Sequence, residues 1–454
     1  MSNSEMSGIK NSTRASVNEP RGGMASGNPV DAQARRPCIL QVITQLDLGG
    51  AEEVAIALSE QLRYRYDIQF FAVRGVRNTA IGKAMQARLR AAGVPVHSGT
   101  RLELKRGGFV QAAARLAALR WRLRPDIVHL HTEIPELTHA LSRGFVPESA
   151  EARREGAGNQ EKRRSLSIPT PLTTRTLHST SFWGPWRDIG VRVERCILGI
   201  PLAACSQGAL EGMRTFRAAN VLPSLTTEQR LVIYNGVAPA PQQAGAKNKN
   251  SHENGAARGG PLRVMFAGRL ETEKGADLLP AILEHADTGP LSASPTELTI
   301  YGAGSLEPEL ARWAAQGVPG WNIRILPPTP ELRSEMARHD LLLMPSRFEG
   351  LGLVAAEALM AGLPVIGTRI SGMTEVFPAD YPLLAPVADT QALGTLLTQV
   401  LSNPDGFRAQ AQRWVAPTTE KFGLARMARE YGQLYQDLLN GRSLTAQAQH
   451  SGAV

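Results

Sequence analysis

DLLLMPSRFEGLGLVAAEALMAGLPVIGT, residues 340–368, reads as a strand, a glycine-broken loop, a helix and a second strand in succession. The apolar run ends at Pro345, the loop carries Glu349, Gly350 and Gly352, and the helix holds Glu357 before LPVIGT resumes the sheet. A strand–helix–strand unit of this kind joins parallel strands, and such sheets bind ligands beyond the carboxyl ends of their strands, at helix N-termini. Free backbone N–H groups and the positive end of the helix dipole favour an anion there, and glycines let it approach closely. Glu349 is negative, so it is not what binds a phosphate. A carboxylate beside an anion site suits hydrogen bonds to neutral hydroxyls, and a sugar nucleotide carries hydroxyls on both sides of its diphosphate. Glu357 follows about two turns later, enclosed by Ala355, Ala356, Ala358 and Leu359, a poor setting for a charge without a partner. Taken singly, Glu349 could equally complement the helix dipole and Glu357 lie on a solvated face.

Working outward, the same alternation fills most of the chain. CILQVITQL (38–46) is a near-continuous apolar run suited to a strand covered on both faces. DLGGAEEVAIALSEQL follows as a glycine turn and a helix, then the strand YDIQFFAVRG, a helix around IGKAMQARLRAAG, VPVHSG, a basic helix from Phe109 to Leu123 and the strand PDIVHLH. PTPLTTRTLHS, IPLAACS and LVIYNGV complete one sheet. LRVMFAG, ELTIYGAG, NIRILPP, DLLLMPS and LPVIGT build a second, with helices near Gly275–Glu284, Glu307–Gln316 and Pro330–Arg338. The fold class is therefore α/β, two Rossmann-like doubly wound parallel-sheet domains facing across a cleft.

The domain reading is a disordered tail over 1–36, an N-terminal domain over 37–238 with a charged insertion at 147–168, and a linker over 239–260. A C-terminal domain over 261–405 follows, then helices over 406–440, with a crossing back to the first domain left open, and a flexible tail over 441–454. Helical spacing through Phe422, Met427, Tyr431 and Tyr435 marks the last helices.

At 454 residues the chain suits roughly two or three domains, and 43% hydrophobic residues suffice for real cores. No run reaches the length of about 18 apolar residues that spans a bilayer, and the polar N-terminus lacks the apolar stretch of a secretory signal. Cys38, Cys196 and Cys205 show no metal spacing and read as reduced thiols of a cytoplasmic protein. The net charge of +9 favours anionic partners: a nucleotide, a phosphate or an acidic membrane surface. Nucleic acid is disfavoured, because aromatics are only 5% and no recognition module is present. His129 and His131 share a strand face but lack a third ligand at suitable spacing, so no metal is expected. YGAGSLEPEL lacks the third glycine and the acidic residue of a redox dinucleotide site.

PSRFEGLGLVAAEALMAGLPVIGT resembles the donor-site signature of retaining GT-B glycosyltransferases, in particular glycosyltransferase family 4, the bacterial "group 1" transferases. Glu349 and Glu357 match that family's E-x7-E spacing. FAGRLETEKGADLL, VIYNGV, LGGAEEVAIALSEQL and TLHSTSF resemble further family segments in the same order. The resemblance implies a pair, Arg269 and Lys274, that neutralises the donor diphosphate; alone, they read as two exposed cations in a turn. It implies that Glu357 binds ribose hydroxyls, and that Glu349 with the backbone of Gly350, Leu351 and Gly352 meets the transferred sugar and phosphates. It puts Gly49 and Gly50 over the donor, though a tight turn explains them equally well. His178 would contact the transferred sugar, Gly302 would lie near the nucleotide, and Glu375 would take a supporting role. Pro327 and Pro328 stand where the base is usually read and lack N–H groups, which leaves uridine against guanosine open.

The expectation is a retaining glycosyltransferase with a UDP- or GDP-sugar donor, no cofactor or divalent cation, and a sugar or lipid-linked hydroxyl acceptor in bacterial cell-surface polysaccharide, lipopolysaccharide or glycolipid synthesis. Both glutamates fall on the donor side, so front-face displacement is favoured over a double displacement. An epimerase or hydrolase on the same fold, or a non-catalytic nucleotide-binding protein, are the rival readings. The helix from Phe109 to Leu123, with Phe109, Leu116 and Leu123 in one stripe among Arg115, Arg120, Arg122 and Arg124, could rest on an anionic bilayer at the inner face of the cell membrane, or pack on the sheet.

Overall fold

The computed structural model describes residues 35–143, 171–227, 230–238, 261–287 and 295–442. The charged insertion, the inter-domain linker and nearly all of the two terminal tails read from the sequence lie outside the described residues. Among the described residues, seven strands form the first sheet: β1 (Cys38–Ile43), β2 (Asp67–Ala72), β3 (Val96–Ser98), β4 (Ile127–His131), β5 (Leu172–Leu177), β6 (Leu202–Ala204) and β7 (Arg230–Val232). Their order is β3-β2-β1-β4-β5-β6-β7, with parallel pairing throughout. A second sheet holds β8 (Arg263–Ala267), β9 (Thr296–Tyr301), β10 (Trp321–Leu326), β11 (Leu341–Met344), β12 (Val365–Thr368) and β13 (Leu384–Ala385) in the order β10-β9-β8-β11-β12-β13, also parallel. In each sheet the strand order reverses beside the first strand, between β1 and β4 and between β8 and β11. Loops leaving those strands diverge to opposite faces and open a crevice.

The near-continuous apolar composition of β1 follows from cover on both faces, since all six of its residues are buried. Ile39 and Ile43 pack with α1 (Gly50–Leu62) and α2 (Ala80–Ala91), whereas Leu40 and Val42 pack with α3 (Gly108–Leu123). Alternation along the strand thus sends odd and even residues to different layers. A fourth helix, α4 (Glu133–Ser142), begins directly after β4.

Local chemistry shortens two helices relative to the sequence reading. Around Gly275 the chain makes two 3-10 turns, Thr272–Lys274 and Ala276–Leu278, before a short helix Leu279–Glu284. Gly275 has φ 71°, and a Cβ there would lie 2.0 Å from the Pro345 carbonyl oxygen, so the turn needs glycine. The helix read over Pro330–Arg338 is confined to Leu332–Met336. The C-terminal helices are Pro404–Gln412, Val415–Phe422 and Leu424–Leu439, the last two broken by the extended backbone of Gly423.

Helix Leu424–Leu439 packs on the first sheet, not the second. Met427, Tyr431, Leu434, Tyr435 and Leu438 join the layer containing Ile39 and Ile43. The rings of Tyr66 and Tyr435 meet edge-on with centroids 5.5 Å apart, and the Tyr66 hydroxyl donates to the Gly432 carbonyl at 3.2 Å.

Under β5 and α4 lies a buried charge cluster. Both carboxylate oxygens of Glu194 accept from Arg175, at 2.5 and 3.0 Å, and Oε2 also accepts from Arg217 at 3.1 Å. Arg175 reaches Glu136 at 3.3 Å as well, and all four side chains are at most 3% exposed. Two cations out of water are tolerable only while two carboxylates answer them. Glu194→Gln keeps the shape but removes the shared charge; it is expected to destabilise the first domain by about 3–5 kcal/mol, read as a lowered denaturation midpoint by tryptophan fluorescence.

Candidate active site

A cavity of about 710 Å³ lies between the two sheets, walled by residues of both. Its walls come from the loops after β1, β4 and β5 on one side and after β8, β10 and β11 on the other, the carboxyl ends that a doubly wound sheet offers to ligands.

On the second-sheet side, Glu349 is 7% exposed and accepts from Lys274 Nζ at 2.7 Å and from Ser346 Oγ at 2.9 Å. Both bonds fall on Oε1, and Oε2 has no partner among the described residues. Glu357 is held the same way: Arg333 donates from Nε at 3.1 Å and from Nη2 at 3.0 Å, both to Oε1. Burial raises the Glu357 pKa, against the opposing pull of Arg333. Arg269, half exposed, pairs with Glu273 one turn on. Every cation that faces the cavity from this side therefore carries a carboxylate partner at rest.

Helix Leu353–Met360 begins in the cavity wall at Leu353, with no side-chain cap and no acid in its first turn. Gly372 backs the loop before it: with φ 82°, its Cβ would stand 2.5 Å from the Glu349 carbonyl oxygen. Gly350 touches the opposite wall so closely that a Cβ would lie 2.0 Å from the His178 carbonyl oxygen. Its own carbonyl accepts from Ser206 Oγ at 2.5 Å. Gly49, Gly50, Leu351 and His178 also line the cavity.

Three residues read from the sequence as site residues stand elsewhere. Glu375 accepts from the backbone N–H groups of Gln207 and Gly208, both at 2.8 Å, capping helix Gln207–Ala219 across the domain seam. Gly302 sits behind the wall, where a Cβ would meet the Gly268 carbonyl oxygen at 2.2 Å. Gly352 is backed by Met373, whose sulfur a Cβ there would meet at 3.3 Å.

Other lining groups were missed. Arg88 grips Glu53 at 2.7 and 2.8 Å and Glu60 at 2.8 and 3.0 Å, and Glu53 repels Glu357 across the cavity. Glu52 folds back onto its own backbone N–H, and burial pushes its carboxyl up to about 7, with Asp47 adding to the rise and Arg269 opposing it. Glu52 and Glu53 were legible as the first turn after a glycine loop, and Arg333 as a cation in the short helix after β10.

Two facing doubly wound lobes with a charged cleft between them are the GT-B architecture, and solved GT-B structures superpose on this chain. The HepE protein of Anabaena in complex with UDP-glucose gives a TM-score of 0.65 at 18% identity, covering 88% of this chain and 99% of that one. WaaG, a glycosyltransferase involved in lipopolysaccharide biosynthesis, gives 0.60 at 12% identity, covering 86% and 98%. At these identities the likeness shows the fold.

Residues 261–403, in the second lobe, match the family described as Glycosyl transferases group 1. The chain is 30% identical over 188 residues to glycogen synthase of Mycobacterium tuberculosis strain H37Rv, covering 39% of this chain and 43% of the relative. It is 37% identical over 162 residues to D-inositol 3-phosphate glycosyltransferase of Jonesia denitrificans, covering 33% and 38%. These alignments span about two-fifths of each relative's length.

Glu52 gives a pH prediction. Its folded pKa of about 7 lies above the ordinary 4.5, so the folded state binds the extra proton and loses stability as pH rises from about 4.5 through about 7. Glu52→Gln removes that term. The variant should match wild type near pH 4.5 and melt a few degrees higher at pH 8, by differential scanning calorimetry.

Proposed function

We propose that the protein is a retaining glycosyltransferase that moves a sugar from a UDP- or GDP-sugar to a hydroxyl of a carbohydrate or lipid-linked acceptor, in bacterial cell-surface polysaccharide or lipopolysaccharide synthesis. The observation that carries this reading is the matched pair of glutamates, each bound to a cation through Oε1 with Oε2 left for a hydroxyl hydrogen. A cleft built only for an anion would have no use for them.

Arg269 and Lys274 take the diphosphate, Arg by its planar fork and Lys as a point charge, with the free N-terminus of helix Leu353–Met360 beneath it. Both cations are already present at the leaving group, so the donor needs no divalent cation. Glu357 takes the ribose hydroxyls and Glu349 the transferred sugar. As the glycosidic bond to the diphosphate breaks, negative charge grows on the leaving oxygen, where the two cations stabilise it. The acceptor hydroxyl attacks from the same face, its proton passes to the departing phosphate, and configuration is retained. The UDP-glucose held by the Anabaena neighbour, and the likeness to a glycogen synthase and a D-inositol 3-phosphate glycosyltransferase, support this choice of donor and reaction class.

A second observation favours contact with an anionic membrane. The sequence reading set the apolar stripe of α3 on Phe109, Leu116 and Leu123, but Leu116 is buried against the sheet and Phe109 packs edge-on to Trp186, with centroids 5.6 Å apart. The outward face carries Val110 and Trp121, 71% and 61% exposed, with Ala114 and Ala118 between them and Leu102, 52% exposed, nearby. Arg101, Lys105, Arg122 and Arg124 flank it. Apolar groups ringed by cations fit a surface of anionic lipid headgroups.

With radiolabelled UDP- and GDP-sugars and a bacterial membrane extract, wild type should place label in a lipid or polysaccharide fraction. Lys274→Ala and Glu357→Ala should each cut transfer by at least about a hundredfold while retaining the wild-type circular dichroism; full activity in either would discredit the site. In sedimentation with phosphatidylglycerol vesicles at low salt, Trp121→Glu is expected to weaken binding about tenfold, the loss of roughly 1.5 kcal/mol of apolar burial. No difference from wild type would remove the membrane face.

A further inference from the structure

Period-two alternation puts a row of polar side chains on one face of the first sheet. Gln41 of β1, His129 and His131 of β4 and Thr176 of β5 are all buried, and Gln41, His129 and Thr176 bond to tyrosines of helix Leu424–Leu439. Nothing in the reaction outlined above uses them.

Their hydrogen bonds form one ordered chain. The Gln41 side-chain amide donates to the Tyr435 hydroxyl at 3.0 Å, so its carbonyl oxygen is left to accept, and it accepts from His131 Nε2 at 2.7 Å. A neutral imidazole that donates from Nε2 has its lone pair on Nδ1. His131 Nδ1 therefore accepts from His178 Nε2 at 3.0 Å, and His178 in turn keeps its lone pair on Nδ1. In the other direction, the Tyr435 hydroxyl has accepted from Gln41 and donates to His129 Nδ1 at 2.7 Å. His129 Nε2 donates to Thr176 Oγ1 at 2.7 Å, and Thr176 shares a bond of 2.9 Å with the Tyr431 hydroxyl. Burial holds all three imidazoles neutral, with His129 and His178 lowered to about 3.

One end of this chain is unmatched. His178 Nδ1 has no hydrogen-bond partner among the described residues, and His178 stands in the cavity wall. We infer that Gln41, His131 and Tyr435 are positioning residues that fix His178 as the Nε2–H tautomer, so that its Nδ1 accepts a hydrogen bond from a hydroxyl of the sugar in the cleft. The role at the sugar rests on the proposed function; the tautomer order does not.

The lone pair also sorts the two ends of a sugar nucleotide. It attracts a hydroxyl hydrogen and repels a phosphate oxygen, so this wall takes the sugar and leaves the diphosphate to Lys274 and Arg269. Tyr435 stands behind this on a helix that follows the donor lobe in sequence, so the sense of the chain depends on that helix being seated.

The test is long-range 1H–15N correlation spectroscopy on full-length protein labelled with 15N-histidine, the His178 signals assigned with His178→Gln. Wild type should show His178 and His131 protonated on Nε2. In Tyr435→Phe the Gln41 amide loses its acceptor and can turn over, so His178 should become a tautomer mixture and its affinity for the donor sugar nucleotide should fall about three- to tenfold. Gln41→Glu is the second variant: its carboxylate still accepts from His131, so His178 keeps Nε2–H. Tyr435 must then donate to residue 41, and His129 inverts to Nδ1–H. His178 protonated on Nδ1 in wild type, an unchanged tautomer in folded Tyr435→Phe, or an uninverted His129 in Gln41→Glu would each overturn the ordered chain. Correct tautomers with an unchanged dissociation constant in Tyr435→Phe would overturn the role at the sugar. If wild type bound no sugar nucleotide by calorimetry, the proposed function and that role would fall together, and the tautomer order would stand on its own spectra.

Discussion

Val237 donates its backbone N–H to the Phe422 carbonyl at 2.7 Å and accepts from the Leu424 N–H at 3.1 Å, tying the outward and return passages of the chain between the lobes into a short parallel pair. Gly236 makes the pairing possible, because a Cβ there would lie 2.8 Å from the Leu424 Cα and 2.9 Å from the Met427 Cβ. From this joint the last helix has only one place to go, across the first sheet, where Tyr431 and Tyr435 complete a layer that α1 and α2 leave open. The cleft spacing then rests on this pairing together with the contacts at its mouth: Ser206 on the Gly350 carbonyl and Glu375 on the N-terminus of helix Gln207–Ala219. Glu375 is a clasp of the seam. Its carboxylate meets two of the N–H groups that a helix start leaves unpaired, those of Gln207 and Gly208, a structural task complete without any ligand.

The charges in the cleft follow one pattern. Lys274 with Glu349, Arg333 with Glu357 and Arg88 with Glu53 and Glu60 are all closed pairs between half-buried or buried groups. A cation left alone at such depth would pay desolvation, and pairing avoids that while keeping the side chain extended toward the cavity. An incoming diphosphate can share Lys274 with Glu349, because the ammonium has three hydrogens and the carboxylate engages one. The carboxylates thus hold the cations in place through Oε1 while their Oε2 atoms make no bond among the described residues.

Much of the architecture was legible because period-two and period-3.6 patterns in a parallel α/β chain are strong and locally consistent. The loop between β11 and helix Leu353–Met360 was legible because its glycines and proline break the apolar run at fixed offsets. Helix Leu353–Met360 ends at Met360, two residues before Gly362 (φ 67°), the kind of stop the sequence suggests. What stayed hidden was long-range. Gln41 sits 394 residues from Tyr435, and nothing in either neighbourhood announces the bond. Tyr431 and Tyr435 read as apolar ring surface in an amphipathic helix; their hydroxyls matter only once the opposing face proves to be Gln, His and Thr. Of the two uses the sequence left open for the α3 stripe, the structure takes the second: Leu116 and Leu123 pack on the first sheet, which leaves the opposite face of the helix outward.

The proposed placing of the diphosphate on the second lobe is also supported by an asymmetry between the two helix starts that face the cavity. Both follow a glycine loop, and both lack a side-chain N-cap. Helix α1, however, carries Glu52 and Glu53 in its first turn, and the Glu52 carboxyl folds back onto its own N–H, so that helix start already has an acceptor of its own. Helix Leu353–Met360 has no acid in its first turn, and Lys274 reaches the loop that precedes it. An anion entering the cleft therefore finds one helix start answered and one open, with a cation beside the open one. A neutral sugar feels no such preference. On the proposed reading it is placed instead by groups that accept hydrogen bonds, and three such groups, Glu349, Glu357 and His178, line the cavity.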